Sequence, residues 1–266
     1  MASIHWFRFA SPAAFYPLAG TATRLFGWLA VVLAVAGLWV GFAVAPTDAQ
    51  QGESYRIIFI HVPAAWMAML TYLVIAFWSV LSLTLNARLP AMMAQALAPT
   101  GALFAFIALW TGAFWGKPTW GTYWVWDARL TSTLILLFLY LGLIALRSSI
   151  DDPRRADRAC ALLGLVGAVN VPIIYFSVRW WNTLHQGATI SMTAAPKMAH
   201  TMLTAMLLMT FAAWAYTIAV AMYRVRSLIL VREAQADWLS PWLADQTSLA
   251  DQTPQTGDPQ QPGVMR

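Results

Sequence analysis

The sequence predicts an all-α, polytopic membrane protein with six transmembrane helices and both termini on the cytoplasmic side. Of its 266 residues 60% are apolar and only 10% are charged, with a mean hydropathy of +0.61, which leaves too little polar surface for a water-soluble domain. The apolar residues gather into six long runs, and a span needs about 20 of them, roughly 30 Å at about 1.5 Å per residue. The cations also divide unevenly between alternate loops, which orients the runs.

The first run, Phe26 to Ala45, follows a segment, residues 1–25, that carries Arg8 and Arg24. That segment has no small-residue cleavage site and the run is too long for a signal-peptide core, so it is expected to be retained. The second run extends from Ile57 to Leu85, the third from Met92 to Phe114, and the fourth, the shortest, from Thr131 to Leu146. The fifth, Ala159 to Val178, and the sixth, Met198 to Tyr223, complete a membrane domain over residues 26–223 with a Trp-rich loop at about 115–130. Arg224 to Trp242 reads as a surface helix continuing the sixth span, with Arg224, Arg226 and Arg232 near anionic headgroups. Beyond it TPQTGDPQQPG has almost nothing to bury and is expected to be disordered, so residues 224–266 form a cytoplasmic helix and tail.

With both termini on one face, that face collects eleven cations: Arg8, Arg24, Arg88, Arg147, Arg154, Arg155, Arg158, Arg224, Arg226, Arg232 and Arg266. The other face has five, Arg56, Lys117, Arg129, Arg179 and Lys197. The positive-inside rule then places the termini in the cytoplasm and the loops around residues 46–56, 115–130 and 179–197 outside, in the periplasm of a bacterium, so that the chain is a multi-pass protein of the inner membrane. The net charge of +5 is read as this topology and not as a nucleic-acid surface.

Several functions are excluded by what is missing. Cys160 is the one cysteine, so there is no disulfide framework, and no C-x-x-C-H offers thioether attachment of haem. Neither a Walker motif nor G-x-G-x-x-G nor a zinc spacing occurs, so this chain is not expected to hydrolyse ATP or bind a dinucleotide. Pro63, Pro99-Thr100-Gly101 and Asn170 with Pro172 punctuate the second, third and fifth runs, as in broken helices that line a cavity. No Asp, Glu, Lys or Arg stands at mid-depth in a run to mark a proton route, which argues against a proton-coupled carrier.

The informative excess is tryptophan: of fifteen, Trp110, Trp115, Trp120, Trp124, Trp126, Trp180 and Trp181 lie at or beside two outward loops. An aromatic belt at the headgroups explains any one of them. It explains W-G-K-P-T-W-G-T-Y-W-V-W-D poorly, where Gly116, Pro118 and Gly121 interrupt the chain between spans. Read as helical from Trp120, the run sets Trp120, Tyr123, Trp124 and Asp127 on one face, at i, i+3, i+4 and i+7. Such a wall suits a large planar ligand.

His61, opening the second span, and His185, in the last outward loop, flank this platform. A lone histidine at a helix end is more often a hydrogen-bonded interface residue than a ligand. Two neutral imidazoles approaching from opposite sides, however, satisfy the axial positions of an iron porphyrin, here a non-covalent haem b (iron protoporphyrin IX). Its propionates call for cations: Arg56, Lys117, Arg129, Arg179 and Lys197 are available, Arg129 first among them, although membrane-surface snorkelling is the commoner role. Asp127 has three roles open to it: pairing with Arg129, capping the fourth span, or bonding a ligand. His5 is read as uninvolved, and His200 as at most a neighbour of the site.

At G-E-S-Y-R-I-I-F-I-H-V-P-A-A, W-G-K-P-T-W-G-T-Y-W-V-W-D-A-R-L-T-S and W-W-N-T-L-H-Q-G the sequence resembles the CcmC (haem exporter protein C) family of bacterial cytochrome c maturation, within the wider tryptophan-rich haem-handling proteins. The resemblance runs from about Phe26 to Arg232, and Trp-Gly at 120 and 121 followed by Trp-x-Trp-Asp at 124 to 127 is the motif itself. It implies that His61 and His185 are paired periplasmic haem ligands and that Trp120 to Asp127 holds the haem edge presented to an acceptor. It implies partners as well: a periplasmic haem chaperone of the CcmE type that takes haem on its own histidine, a small membrane subunit of the CcmD type, and ABC transporter subunits of the CcmA and CcmB type. Tyr123 departs from the family, whose members often carry Trp there; its ring preserves the platform.

Two other functions match parts of this pattern. A membrane b-type cytochrome predicts ligand pairs on neighbouring spans and usually two haems at different depths, whereas this sequence offers one pair at one face. A transmembrane haem channel wants polar or histidine lining on the cytoplasmic side, and none is evident. No conventional acid, base or nucleophile pair stands out beyond Asp127, so the chain's contribution is expected to be positioning.

Overall fold

The structure, a computed structural model, describes residues 11–181, 183–185 and 198–239. Six helical units in it are long and apolar enough to cross a membrane. The chain is thus an all-α membrane protein of six spans.

Helix α1 (Pro12–Trp39) begins well before Phe26, because Ser11 accepts a hydrogen bond from the Ala14 amide and Pro12 fits the first turn. It ends in a π-helical turn, Val40–Val44. A 3₁₀ turn, Glu53–Ile57, leads into α2 (Ile58–Leu85), and Asn86, at φ 48°, turns the chain into α3 (Arg88–Trp120). Asp127 caps α4 (Ala128–Ser149), and Asp152 caps α5 (Pro153–Ala168). The fifth span breaks before α6 (Asn170–Trp180), as its punctuation predicted: Pro172 offers no N–H and its ring clashes with the carbonyl of Ala168 one turn earlier. Pro63 and Pro99 instead sit inside continuous helices.

Helix α7 (His200–Arg232) ends at a turn before a short 3₁₀ segment, Asp237–Leu239. The helical continuation beyond Tyr223 therefore stops at Arg232, short of the expected Trp242; the expected disordered tail lies outside the described residues, as do His5, Arg8, Lys197 and Arg266.

Helix α1 packs chiefly on α7, while α2, α3, α4, α5 and α6 enclose the main core. At its centre Tyr72 and Tyr140, both 0% exposed, meet edge to face with centroids 5.0 Å apart. Each hydroxyl is fixed by a carbonyl: Tyr140 donates to Ala68 at 2.7 Å and Tyr72 to Leu163 at 3.3 Å. Glycine makes the fit possible, since a Cβ on Gly101 or on Gly167 would come within 2.1 Å of the nearer tyrosine. This layer separates two cavities, one toward the tryptophan end of the bundle, where α3 gives way to α4, and one toward the opposite end.

The opposite-end cavity adds polar lining that the apolar runs alone do not reveal. Polar side chains do line it, among them Gln95, Arg147, Asp157 and Arg224, and Arg224 reaches into the bundle to Thr100 well inside α3. Long arginine stems carry guanidinium groups deeper than the sequence position of their Cα indicates, so charge at depth is not visible from runs alone.

Candidate functional site

His61 lies near the start of α2, facing α3. Its Nδ1 is 3.0 Å from the Thr111 hydroxyl oxygen, and that hydroxyl is committed as a donor to the Ile107 carbonyl at 2.6 Å. Thr111 therefore accepts from His61 Nδ1–H, which leaves a lone pair on Nε2. A donor contact from the other ring nitrogen is the arrangement that orients metal-ligating histidines. Gly112 keeps the ring's space open, because a Cβ there would sit 3.0 Å from His61 Cε1.

His185 comes from the 183–185 segment and meets His61 with ring centroids 6.4 Å apart and planes inclined by 33°. The two histidines line one cavity with Trp115, Trp120 and Arg129. Trp115 packs edge-on to His61 at 5.6 Å and is pinned by its Nε1–H to Gln51 at 2.7 Å; Trp120 lies 6.1 Å from His185. Arg129, at the start of α4, donates to the Ile174 carbonyl at 3.2 Å, so α6 helps hold the cation at the cavity wall.

The remaining residues of the tryptophan motif lie elsewhere. The predicted shared helical face of Trp120, Tyr123, Trp124 and Asp127 does not form. Gly121, at φ 79°, closes α3 in the left-handed conformation that glycine tolerates best, and an extended segment runs to Asp127. There Asp127 accepts from the Leu130 amide at 2.7 Å, which realises the capping role among the three open to it. Trp124 and Trp126 meet edge to face at 5.3 Å, with Trp126 76% exposed. Tyr123 is exposed beneath Lys117, whose ammonium lies 5.3 Å from its ring. None of these four lines the histidine cavity.

The other cations named from the sequence are engaged differently. Arg56 bonds Glu53 and the carbonyls of Gly41 and Ala45, stitching the α1 end to the α2 start. Lys117 donates to the Gly121 carbonyl at 3.0 Å, and Arg179 lies 6.0 Å from the Phe176 ring. His200 is exposed at the start of α7, away from the cavity lining. Thr111, Gly112 and Gln51 were not foreseen, since a lone Thr or Gly in an apolar run carries no signal; only the i+50 partner gives Thr111 its meaning.

The histidine pair matches a bis-imidazole macrocycle in ring separation, while the cavity it lines is too small to hold the macrocycle as it stands. Metal–imidazole bonds of about 2 Å on each side place trans ring centroids roughly 6 Å apart, near the separation seen here. Among the described residues no cluster of three His, Cys, Asp or Glu side chains occurs, so a bare ion lacks a closed protein cage. Trp124 Nε1 and Asp127 Oδ2, on the segment between α3 and α4, are buried polar atoms without a partner. The cavity itself is narrow, about 50 Å³.

Comparison with known proteins agrees with this architecture. Residues 5–240 match the family model described as CcmC, Heme exporter protein C. The chain is 48% identical over 218 residues to Heme exporter protein C of Escherichia coli K12, covering 80% of this chain and 87% of that one. It is 46% identical over 230 residues to the Bradyrhizobium diazoefficiens protein of that name (85% and 86% covered), and 43% over 231 residues to the Haemophilus influenzae one (87% and 94%). With a family match spanning most of its length and relatives this similar over most of both chains, the protein belongs to the CcmC, or Heme exporter protein C, family.

Proposed function

We propose that the chain binds haem b at the tryptophan end of the bundle through His61 and His185 and passes it to a periplasmic haem chaperone of the CcmE type for c-type cytochrome assembly. The observation that carries this reading is the imidazole pair at 6.4 Å, with the His61 tautomer set by Thr111. The names of the relatives support haem as the cargo. The tryptophan end then faces the periplasm, the protein spans the bacterial inner membrane, and subunits of the CcmA, CcmB and CcmD type are its partners.

In this reading each residue has a physical task. His61 and His185 hold the iron, Trp115 and Trp120 wall the cavity, and Arg129 supplies the cation for a propionate. A volume of about 50 Å³ cannot enclose a porphyrin, so the walls would have to part around the macrocycle for the two histidines to hold its iron. Gly121 ends α3, and Tyr123, Trp124, Trp126 and Asp127 on the segment that follows are the side chains assigned to the haem edge presented to the acceptor. The protein contributes position: a fixed iron orients the exposed haem edge toward the acceptor's nucleophile.

The test is co-expression with a CcmE-type acceptor, followed by a haem stain of a denaturing gel, with His61→Ala and His185→Ala alongside. A covalently labelled acceptor that disappears in both variants is the expected result. Labelling that survives in both removes the pair from transfer, and haem retained on this chain with no labelled acceptor favours an electron carrier.

A further inference from the structure

The second cavity, beyond the tyrosine layer, belongs to none of this chemistry. It measures about 580 Å³, within the roughly 300–1,000 Å³ of small-molecule sites, and lies among the ends of α2, α3, α4, α5 and α7. Its walls are aliphatic and small, with Ile75, Ala98 and Leu143 at the inner end, and no aromatic or histidine side chain lines it. A planar macrocycle finds neither a stacking wall nor an imidazole here. A flexible hydrocarbon chain finds a continuous apolar lining.

Polar groups line the cavity as well, Arg147 and Asp157 toward the helix ends and Arg224 at the depth of Ala98, where it bonds Ala96 and Thr100. The lining carboxylate Asp157 is taken by a two-pronged pair with Arg232, itself not a lining residue, both bonds 2.8 Å, and Arg232 is thereby neutralised. Arg147 and Arg224 are not. Arg224 donates to the Thr100 hydroxyl at 2.7 Å and the Ala96 carbonyl at 3.2 Å, and Arg147 to Gln95 at 3.4 Å, all neutral acceptors. The other lining carboxylate, Asp151, is exposed beyond the end of α4. Ser79, 1% exposed, also lines the cavity and its hydroxyl oxygen has no partner. Two guanidinium groups without a carboxylate partner in an otherwise largely apolar chamber, together with an unsatisfied hydroxyl, call for an occupant with an anionic head and a hydrocarbon body.

We propose that this cavity is a binding site for an anionic phospholipid, its phosphate held by Arg147 and Arg224 and an acyl chain lying along the aliphatic wall. The occupant ties α3, α4 and α7 together at the end of the bundle away from the histidines.

The full chain, purified in detergent, is exchanged into mixed micelles containing phosphatidylglycerol or phosphatidylcholine, and retained lipid is counted by native mass spectrometry. Preferential retention of phosphatidylglycerol is expected, falling about tenfold in Arg147→Gln and Arg224→Gln and lost in Ala94→Trp, which fills the chamber. Arg224→Lys, keeping the charge, should retain lipid better than Arg224→Gln. Thermal melting identifies any variant that fails to fold, in which case Arg147→Gln and Ala94→Trp decide. Equal retention of phosphatidylcholine, unchanged retention in the folded variants, or displacement by glycerol phosphate as effective as by lipid overturns the proposal. Mole-for-mole displacement of the lipid by haem in a His61→Ala, His185→Ala background also overturns it, by making the chamber a haem site.

Discussion

Replacing Thr111 by Val tests the tautomer argument with little change of shape. The substitution removes the oxygen that accepts from His61 Nδ1 at 3.0 Å and leaves the Cβ branch in place. One net hydrogen bond contributes about 0.5–1.5 kcal/mol. The lost orientation acts in the same direction, because the ring loses a partner that keeps its proton on Nδ1 and leaves Nε2 open for iron. Loss of such a supporting partner typically weakens a metal site by about 10- to 100-fold. We therefore expect Thr111→Val to weaken haem binding about tenfold, roughly 1.4 kcal/mol, and Thr111→Ser to restore most of it. The assay is a Soret titration of the purified protein with haem, beside His61→Ala as the limit of full ligand loss. Affinity and spectrum unchanged in Thr111→Val would refute the claim that this hydroxyl sets the ligating nitrogen.

Three other outcomes follow from the same geometry. Gly112→Ala puts a methyl group 3.0 Å from His61 Cε1 and should lower haem affinity several-fold, with the Soret maximum reporting altered ligation, while the melting temperature stays near that of the parent. Trp120→Ala should cut haem affinity in the same titration, because Trp120 lines the cavity, whereas Trp126→Ala should act mainly on acceptor labelling, because Trp126 is 76% exposed on the segment beside it. Equal effects of these two and of Trp28→Ala on both readouts would return the tryptophans to the aromatic belt. Gly101→Ala should destabilise the bundle by about 1–3 kcal/mol or more, read as a lower melting temperature, since its Cβ would meet the Tyr140 ring at 2.1 Å.

Six spans were legible because hydrocarbon demands long apolar runs, and this constraint acts on local sequence alone. Helix ends were less so. Pro12 starts α1 early because Ser11 caps it, and α3 persists to Trp120 through Gly116 and Pro118 until Gly121 takes a positive φ. Periodicity carried the wrong conclusion for Trp120 to Asp127, where a glycine terminator and an aspartate cap outweighed helical spacing. The histidines and Arg129 stood out by residue type and share a cavity, but Tyr123, Trp124, Trp126 and Asp127, close to them in sequence, do not line it. Thr111 and the tyrosine layer could not be read in advance, because their partners are distant along the chain.

That layer has an electrical consequence. A bundle entered by a cavity from each end is in outline a pore with one partition, and a water file through it would short-circuit an energised membrane. Moving one charge through 100 mV is worth about 2.3 kcal/mol, so even a sparse proton wire would be a steady drain. Tyr72 and Tyr140 deny it a path: both are fully buried, both hydroxyls are tied to carbonyls, and glycines let the rings close against the neighbouring helices. Whatever either cavity holds, the membrane between them stays an insulator.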